Sequence, residues 1–250
     1  MAENDIRTQT VKEQLQQQLV EELATESGHE GVVIGWIAPL NAHSELIRTL
    51  EAEVFPEIPD IMRPYELACE FLALVDTRPS TARVVHAFRL SSATGLSAMR
   101  EEDPPGTVLL EDLISSGQGL DLGAVDEYYR ARGIDLRHSA SIETNFRVGP
   151  RVDTDTGLSP AQIGYIALFQ WILREDLQVL FAHLNEPAVR SLDNVGVGWE
   201  PIAGRYDLRT PTVGGSFDDE YSPVAIPVTP ENSAVLSSLL EFLPPQVQLG

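Results

Sequence analysis

The chain has 250 residues, of which 43% are hydrophobic. That much apolar material fits one good-sized α/β domain or two small ones and disfavours wholesale disorder. The formal net charge of −21 disfavours direct binding to DNA, RNA or an anionic membrane, because like charges repel. No long apolar run or secretory signal is visible, so we expect no membrane span. The single cysteine, Cys69, can form no internal disulfide, which makes a cytoplasmic location the default expectation.

The N-terminal segment predicts an amphipathic helix over residues 6–24. Apolar residues recur there at every fourth position: Val11, Leu15, Leu19 and Leu23. We interpret residues 1–28 as a helical arm and residues 29–250 as a single domain. The arm either docks or forms a contact in a homodimer, or else it covers a substrate as a lid. A short strand over 32–38 and a helix over 44–54 follow it.

Two strands are predicted next, over residues 67–75 and 82–90. The segment between them, Asp76–Thr81, is full of turn formers, which favours an antiparallel hairpin. Residues 91–120 are rich in Ser, Gly and Pro, so we expect irregular structure apart from a short element at Thr107–Ile114. A helix near Leu122–Arg132 follows.

A strand over residues 141–148 has strictly alternating side chains. One side carries Ile142, Thr144, Phe146 and Val148; the other carries Ser141, Glu143, Asn145 and Arg147. After a loop over 149–158, a capping box from Ser159 to Gln162 begins an apolar helix that reaches Arg174. The remaining predictions are strands over 179–184, 198–203 and 223–228 and helices over 186–193 and 230–243. This order predicts an α/β (α+β) fold whose mixed, mostly antiparallel sheet has helices on both faces.

Glu143 is the best candidate for a general base. It lies on a strand that we expect to be central, so its polar side must line a cavity or a charge network. The structural alternative is an ion pair with an arginine. Direct pairing with Arg147 is disfavoured, because four residues of strand span about 13 Å. A carboxylate near a reacting amine accepts its proton, directly or through water.

Two arginines are candidates for binding anions. Arg89 and Arg147 end predicted strands, and a planar guanidinium grips a carboxylate or phosphate with two donors. The alternative for each is an ordinary salt bridge. Glu66 either positions a substrate amine or is simply solvated. His86 shares a predicted face with Glu70, so the two either relay protons or His86 is a hydrogen-bonded core residue.

Other chemistries lack a sequence signal. The five histidines, at positions 29, 43, 86, 138 and 183, show no metal-binding spacing. The chain has no Gly-x-Ser-x-Gly elbow and no Gly-x-x-x-x-Gly-Lys phosphate loop. Cys69 lies in a predicted core strand, which favours packing over nucleophilic chemistry. The acidic run Asp218–Glu220 is interpreted as solvated.

Several short motifs match, in order, those of a known enzyme family. They are Leu46–Phe55, Tyr65–Glu66, Arg89–Leu90, Glu143–Arg147 and the segment from Asn185 to Trp199. In this order the chain resembles the GCN5-related N-acyltransferases, and most closely their autoinducer-synthase branch, which makes N-acyl homoserine lactones. The resemblance covers about residues 43–205.

The resemblance implies transfer of an acyl group from a coenzyme A or acyl-carrier-protein thioester to the amine of a small metabolite, without a metal. It implies catalytic roles for Glu143 and Glu66. The substrate-binding residues that it implies are Arg89, Arg147, Phe146 and His86. The residues that it implies for the thioester donor are Val148, Gly149, Arg151, Gly157 and Ser159.

A non-catalytic module of the same fold, which binds a ligand or a protein, is the alternative interpretation. The family's Gly-rich pyrophosphate signature is not evident between Phe146 and Ser159. Asp153 and Asp155 lie in the same loop, where they repel phosphates. These features favour the module, whereas the charged side of the 141–148 strand favours the enzyme. An acidic carrier protein is also disfavoured by the net charge unless basic residues gather on one face.

Overall fold

The computed structural model describes residues 2–57, 62–100, 106–211, 217–218 and 220–250. Its α-helices are α1 (Ala2–Ser27), α2 (Ala42–Val54), α3 (Ala93–Met99), α4 (Val108–Ser115), α5 (Leu122–Arg130), α6 (Pro160–Arg174), α7 (Glu186–Val195) and α8 (Pro230–Leu239). Its strands are β1 (Val32–Ile37), β2 (Cys69–Asp76), β3 (Arg83–Ser92), β4 (Ser139–Arg147), β5 (Val179–Asn185), β6 (Glu200–Pro201), β7 (Thr210–Pro211), β8 (Phe217–Asp218), β9 (Tyr221–Pro227) and β10 (Gln246–Leu249).

Hydrogen bonds link eight of these strands in the order β10-β1-β2-β3-β4-β5-β9-β6, and β7 pairs with β8 separately. The pairs β1–β2, β5–β9 and β6–β9 are antiparallel. The pairs β1–β10 and β4–β5 are parallel. The mixed, mostly antiparallel sheet predicted from the sequence is therefore confirmed.

The chain divides into two compact units. The first comprises Met1–Arg89, Thr144–Ile166 and Phe242–Gly250, and the second comprises Leu90–Glu143 and Ala167–Glu241. The N-terminal helix belongs to the first unit.

One side of the sheet in the first unit is covered by α1 and α2. Their buried residues and those of β2 form one apolar cluster, which includes Leu19, Leu23, Leu46, Leu50, Phe71 and Val75. Burial of each such side chain contributes about 1.5–3 kcal/mol. The second half of the predicted arm is thus part of the core.

The other side of the first unit's sheet carries the first half of α6. Gly164 of α6 lies against Phe88 and Leu74, and Leu74 alternates with the β2 residues that face α1 and α2. Helices therefore cover both faces of the sheet, as predicted. Ser159 and Gln162 form the predicted capping box: the Ser159 N–H donates to Gln162 Oε1 at 2.9 Å, and the Gln162 N–H donates to Ser159 Oγ at 3.3 Å.

The substitution Gly164→Ala is expected to destabilise the protein. An added Cβ would lie 2.2 Å from Cε2 and 2.6 Å from Cζ of Phe88. Overpacking of this kind costs about 1–3 kcal/mol, more than the helix propensity gained. Urea unfolding of the single variant and of Gly164→Ala/Phe88→Leu checks this, because the smaller side chain should restore much of the loss. A more stable single variant would contradict the packing described.

The core of the second unit forms where α4 and α5 pack against β5. Its buried members include Leu109, Leu113, Val125, Tyr129, Val179 and Phe181. Asn185 caps α7 by accepting a hydrogen bond from the Ala188 N–H at 3.1 Å. Gly196 ends that helix with φ at +78°, in the left-handed region that suits glycine.

Two sequence predictions were wrong in detail, and one strand was missed. Residues 93–99, predicted as irregular, form α3, which begins where Ser92 Oγ accepts from the Gly95 N–H at 2.9 Å. The strand predicted over 198–203 is confined to β6, because Ile202–Gly204 form a 3₁₀ turn with Ala203 at φ +51°. The terminal strand β10 was not predicted at all, because its partner β1 lies some 210 residues earlier in the chain. Asp219, in the predicted acidic run, lies outside the described residues.

Candidate active site

Glu143 lies at the centre of a hydrogen-bonded cluster in the second unit. Its Oε1 accepts a hydrogen bond from Ser91 Oγ at 2.5 Å, another from Ser141 Oγ, and a third from the backbone N–H of Leu109 at 3.3 Å. The hydroxyls of Ser91 and Ser141 lie 2.9 Å apart, and Ser91 Oγ also accepts from the Val108 N–H at 3.3 Å. We call Glu143, Ser91, Ser141 and the Leu109 amide the Glu143 cluster.

The Glu143 cluster is built for a negative charge. Val108 and Leu109 begin α4, and the free amides at a helix N-terminus carry a partial positive charge. Two serine hydroxyls and one of these amides therefore stabilise the ionised carboxylate and fix its orientation. These two hydroxyls and this amide hold the carboxylate in place.

The strands beside Glu143 stop pairing at this point. The parallel register of β4 and β5 runs from Ser139 with Val179 to Ile142 with Ala182. Within the described residues no further pair joins these two strands, although β5 continues to Asn185 against β9. Glu143 is the first residue of β4 after the last pair, so its carboxylate lies where the ladder between these strands ends.

A second polar cluster, His86 with Asn145 and Tyr165, lies in the first unit. Asn145 Nδ2 donates to the Tyr165 hydroxyl at 2.7 Å, which leaves Asn145 Oδ1 to accept from His86 Nε2. The Phe88 ring packs against the rings of His86 and Tyr165, at centroid distances of 5.0 Å and 5.5 Å respectively. Burial lowers the pKa of His86 to about 4, the bond to Asn145 opposes that shift, and Arg147 adds to it. His86 is therefore neutral at pH 7.

We expect His86 to make the folded state sensitive to acid. Its pKa is lowered in the folded chain but normal in the unfolded one, so below pH 6.5 the unfolded state binds a proton that the folded state does not. Stability is thus lost as the pH falls from about 6.5 to 4. Compared with His86→Gln, the wild type should lose about 2 kcal/mol more of its unfolding free energy between pH 7 and pH 5. Urea titrations at both pH values measure this, and equal losses would contradict a neutral His86.

Arg89 is buried inside the first unit. Its side chain is 1% exposed and pairs with fully buried Glu51, with Nε 3.1 Å from both carboxylate oxygens. Thr144 Oγ1 donates to the same carboxylate, and the guanidinium lies 5.0 Å from the ring centroid of Phe71. Although burial disfavours the charge, the hydrogen bond from Arg89 to Glu51 raises the pKa of the guanidinium. The structure corrects the sequence interpretation: Arg89 neutralises Glu51 inside the protein, which is the salt bridge named as its alternative.

Phe146 is also a core residue. It is 3% exposed, belongs to the apolar cluster of the first unit and meets Phe55 edge to face with centroids 6.3 Å apart. Contact with a substrate, as the resemblance implied, requires exposure that this position does not give. Its burial, with that of Ile142 and Thr144, follows the predicted alternation of β4, in which residues 143, 145 and 147 are more exposed.

The remaining candidate residues lie on the surface of the first unit. Arg147 and Arg151 are exposed, and Arg147 has no side-chain partner within the described residues. Glu66 is half-buried in a 3₁₀ turn, Arg63–Ala68, just before β2. Val148 is half-buried against the core, and its N–H donates to the Val85 carbonyl at 3.1 Å.

The loop between β4 and α6 is fastened by two arginines. Arg83 donates to the Pro150 carbonyl at 3.2 Å and Arg78 to the Asp153 carbonyl at 3.0 Å. Gly149 and Gly157 adopt φ of +70° and +72°, which side chains other than glycine rarely accept. Ser159, at the end of the loop, is used to cap α6.

Sequence reasoning found Glu143 but not its partners. Ser91 was placed in an irregular segment, and the Leu109 amide carries no side-chain signal at all. Ser141 was assigned to the correct side of the strand without a role. Asn145 and Tyr165 were likewise noted only for their positions. The alternation of β4 was the signal that pointed to Ser141 and Asn145, since both share a side with Glu143.

Within the described residues, no three His, Cys, Asp or Glu side chains are arranged to hold a metal ion, and none of their helices has the length and apolar character needed to cross a bilayer. The fold and the Glu143 cluster thus define an α/β protein with a carboxylate held at the end of a strand ladder.

Comparison with known proteins gives a structural likeness only. No family model and no curated protein matches the chain. Among solved structures, it is similar to the CoA-dependent acyl-homoserine lactone synthase BjaI, with SAM and isopentyl-CoA, at 15% identity and TM-score 0.48, over 88% of this chain and 94% of that one. It is similar to the AHL synthase LasI at 13% identity and TM-score 0.47, over 83% and 94%, and to the CoA-dependent acyl-homoserine lactone synthase MesI at 12% and 0.41, over 86% and 98%.

These three proteins are synthases of the kind that the sequence motifs resemble. The TM-scores of these three structures are below 0.5, so the likeness carries no functional conclusion.

Proposed function

We propose that the chain is an N-acyltransferase that moves an acyl group from a thioester to the amine of a small metabolite. The observation that carries the proposal is the Glu143 cluster: a carboxylate fixed by Ser91, Ser141 and the Leu109 amide, at the point where β4 and β5 stop pairing. A carboxylate so fixed is suited to binding an ammonium group and to accepting its proton.

The proposed step is a direct displacement. The amine nitrogen attacks the thioester carbonyl carbon, a C–N bond forms, the C–S bond breaks and the thiolate leaves. Glu143 takes one proton from the bound ammonium group, directly or through one water, so that a neutral amine attacks. The second proton, which the nitrogen loses as the amide forms, passes to the leaving thiolate. Ser91 and Ser141 keep the carboxylate oriented throughout. Because the carboxylate is already oriented before the reaction, the activation barrier for proton transfer from the amine is lower.

The donor is proposed to be an acyl-CoA, with an acyl carrier protein as the alternative carrier. The loop from Val148 to Ser159 is the candidate donor segment, because Gly149 and Gly157 let its backbone approach a ligand. Arg147 and Arg151 are the exposed cations that would meet the donor's phosphates. Glu66 remains a proposal for orienting the amine, and a homodimer also remains a proposal.

The first test is ligand binding. We expect isopentyl-CoA, taken as a trial thioester from one of the similar structures, to raise the Tm of the protein, since a ligand selective for the folded state stabilises it. S-adenosylmethionine serves as the trial amine and coenzyme A without an acyl group as the control. A series of acyl-CoA chain lengths then locates the preferred donor. No shift with any thioester or with an acyl carrier protein would remove the donor from the proposal.

A non-catalytic binding module is the second candidate. It is favoured by the burial of Arg89 and Phe146, which takes two proposed substrate contacts out of reach, and by Asp153 and Asp155 in the proposed donor loop. The module predicts that a small molecule binds and is recovered unchanged. Mass spectrometry of small molecules that co-purify with the protein separates the two candidates, because the enzyme also predicts free thiol and an amide product.

A further inference from the structure

His183 is a half-buried imidazole with no role in the mechanism proposed above. It lies on β5 in the second unit, and its Nε2 is closed to solvent without a hydrogen-bond partner in the described part of the chain. Burial lowers the pKa of His183 to about 4, so the ring is neutral at pH 7. A neutral imidazole has one N–H donor and one lone pair, and a buried polar atom normally finds a partner.

The strand register places His183 and Glu143 on the same side. Ser141 pairs with Phe181, and Ile142 pairs with Ala182. Side chains alternate along each strand, and paired residues of adjacent strands point to the same side. Two residues after the Ser141–Phe181 pair, Glu143 and His183 therefore point to the side on which Ser141 and Phe181 lie.

The packing of α4 supports this orientation. Leu109 is buried in one apolar cluster with Phe181, and the Leu109 amide donates to Glu143 at 3.3 Å. One residue of α4 thus contacts both the carboxylate on β4 and the cluster to which β5 contributes. Glu143 and His183 follow the last pair of the ladder on two strands that no longer bond to each other there.

We propose that His183 contacts the acyl acceptor and shares the binding of its amine with Glu143. This rests on the proposed function. The ammonium group carries several N–H donors; the carboxylate accepts one and the imidazole lone pair accepts another. A charged acceptor and a neutral one on the same side select a primary amine over a tertiary or quaternary one, which lacks N–H groups for both. The unpaired ring nitrogen is then satisfied when the acceptor binds.

Two matched variants test whether His183 is unpaired in the free protein. His183→Leu removes a buried polar atom that lacks a partner, so we expect the Tm to rise by about 2–4 °C. His86→Leu is the control, because His86 is also neutral but is bonded to Asn145, and its loss should lower the Tm. If both variants lower the Tm equally, His183 is structural and the proposal is overturned.

The closing experiment is ¹⁵N NMR of the histidine side chains, with butylamine hydrochloride as the probe. We expect the ¹⁵N chemical shifts of His183 to change as butylamine is added, while those of His86 stay constant. In Glu143→Gln, the same change at His183 should require at least ten times more butylamine. Tetrabutylammonium, which has no N–H, should cause no shift. A His183 signal that does not move with butylamine overturns the proposal.

This readout does not depend on turnover. A shift at His183 in a protein that transfers no acyl group would support the amine site and overturn the transferase. Acyl transfer without a shift would overturn the role of His183 alone.

Discussion

Glu143→Gln is expected to lower kcat for amine acylation by about 10²–10⁴-fold, the range typical for loss of a general base. The amide has nearly the same shape, and its oxygen can still accept from Ser91, Ser141 and the Leu109 amide. It carries no negative charge, however, and cannot take the proton of the attacking amine. Turnover should therefore fall while the urea unfolding midpoint changes little.

Two further variants separate chemistry from stability at this position. Glu53→Gln, on the exposed surface of α2, should leave kcat unchanged. Ser141→Ala removes one donor to the carboxylate and should reduce kcat less than Glu143→Gln does, because Ser91 and the Leu109 amide remain. If Glu143→Gln loses stability in proportion to activity, the residue is structural and the proposed mechanism is wrong.

Glu51→Gln is expected to cost about 3–5 kcal/mol of unfolding free energy, which makes it the largest stability effect that we predict. The substitution leaves the guanidinium of Arg89 buried without a counter-charge, since both side chains are nearly closed to solvent. The loss exceeds the worth of the pair itself, because an unpaired buried charge is costly. Replacement of both residues, as Glu51→Leu/Arg89→Met, should therefore cost less unfolding free energy than Glu51→Leu and Arg89→Met cost when their separate losses are added.

Urea unfolding of this double-mutant cycle measures the coupling. The control is Glu186→Gln, which breaks an exposed i,i+4 pair with Arg190 and should cost less than about 1 kcal/mol. Additive losses at Glu51 and Arg89 would mean that the two side chains do not depend on each other in solution.

Local patterns in the sequence predicted much of the first unit and part of the site. From Ile142 to Arg147 the alternation along β4 indicated correctly which residues are more buried, because a strand exposes its two sides in turn. The capping box at Ser159 correctly placed the start of α6, because its hydrogen bonds join residues only three apart. Both features depend on neighbours in the chain.

Local sequence patterns could not predict contacts between segments that are far apart in the chain. Arg89 was interpreted as an anion-binding residue because its partner, Glu51, lies 38 residues away on a helix. The same limit hid Ser91, 52 residues from Glu143, and the backbone amide of Leu109, which no side-chain pattern reports. His183 was noted only for its lack of metal spacing, since its position opposite Glu143 depends on the register of two strands.

The most direct test of the central claim is product analysis with a thioester labelled with ¹³C at its carbonyl carbon. The protein is incubated with this donor and the trial amine, and free thiol, amide and carboxylic acid are quantified by mass spectrometry. We predict labelled amide in equal amount to the thiol released, and both formed at least about 10²-fold more slowly with Glu143→Gln. Release of thiol together with labelled carboxylic acid, at a rate independent of the amine, would show hydrolysis instead and contradict the account.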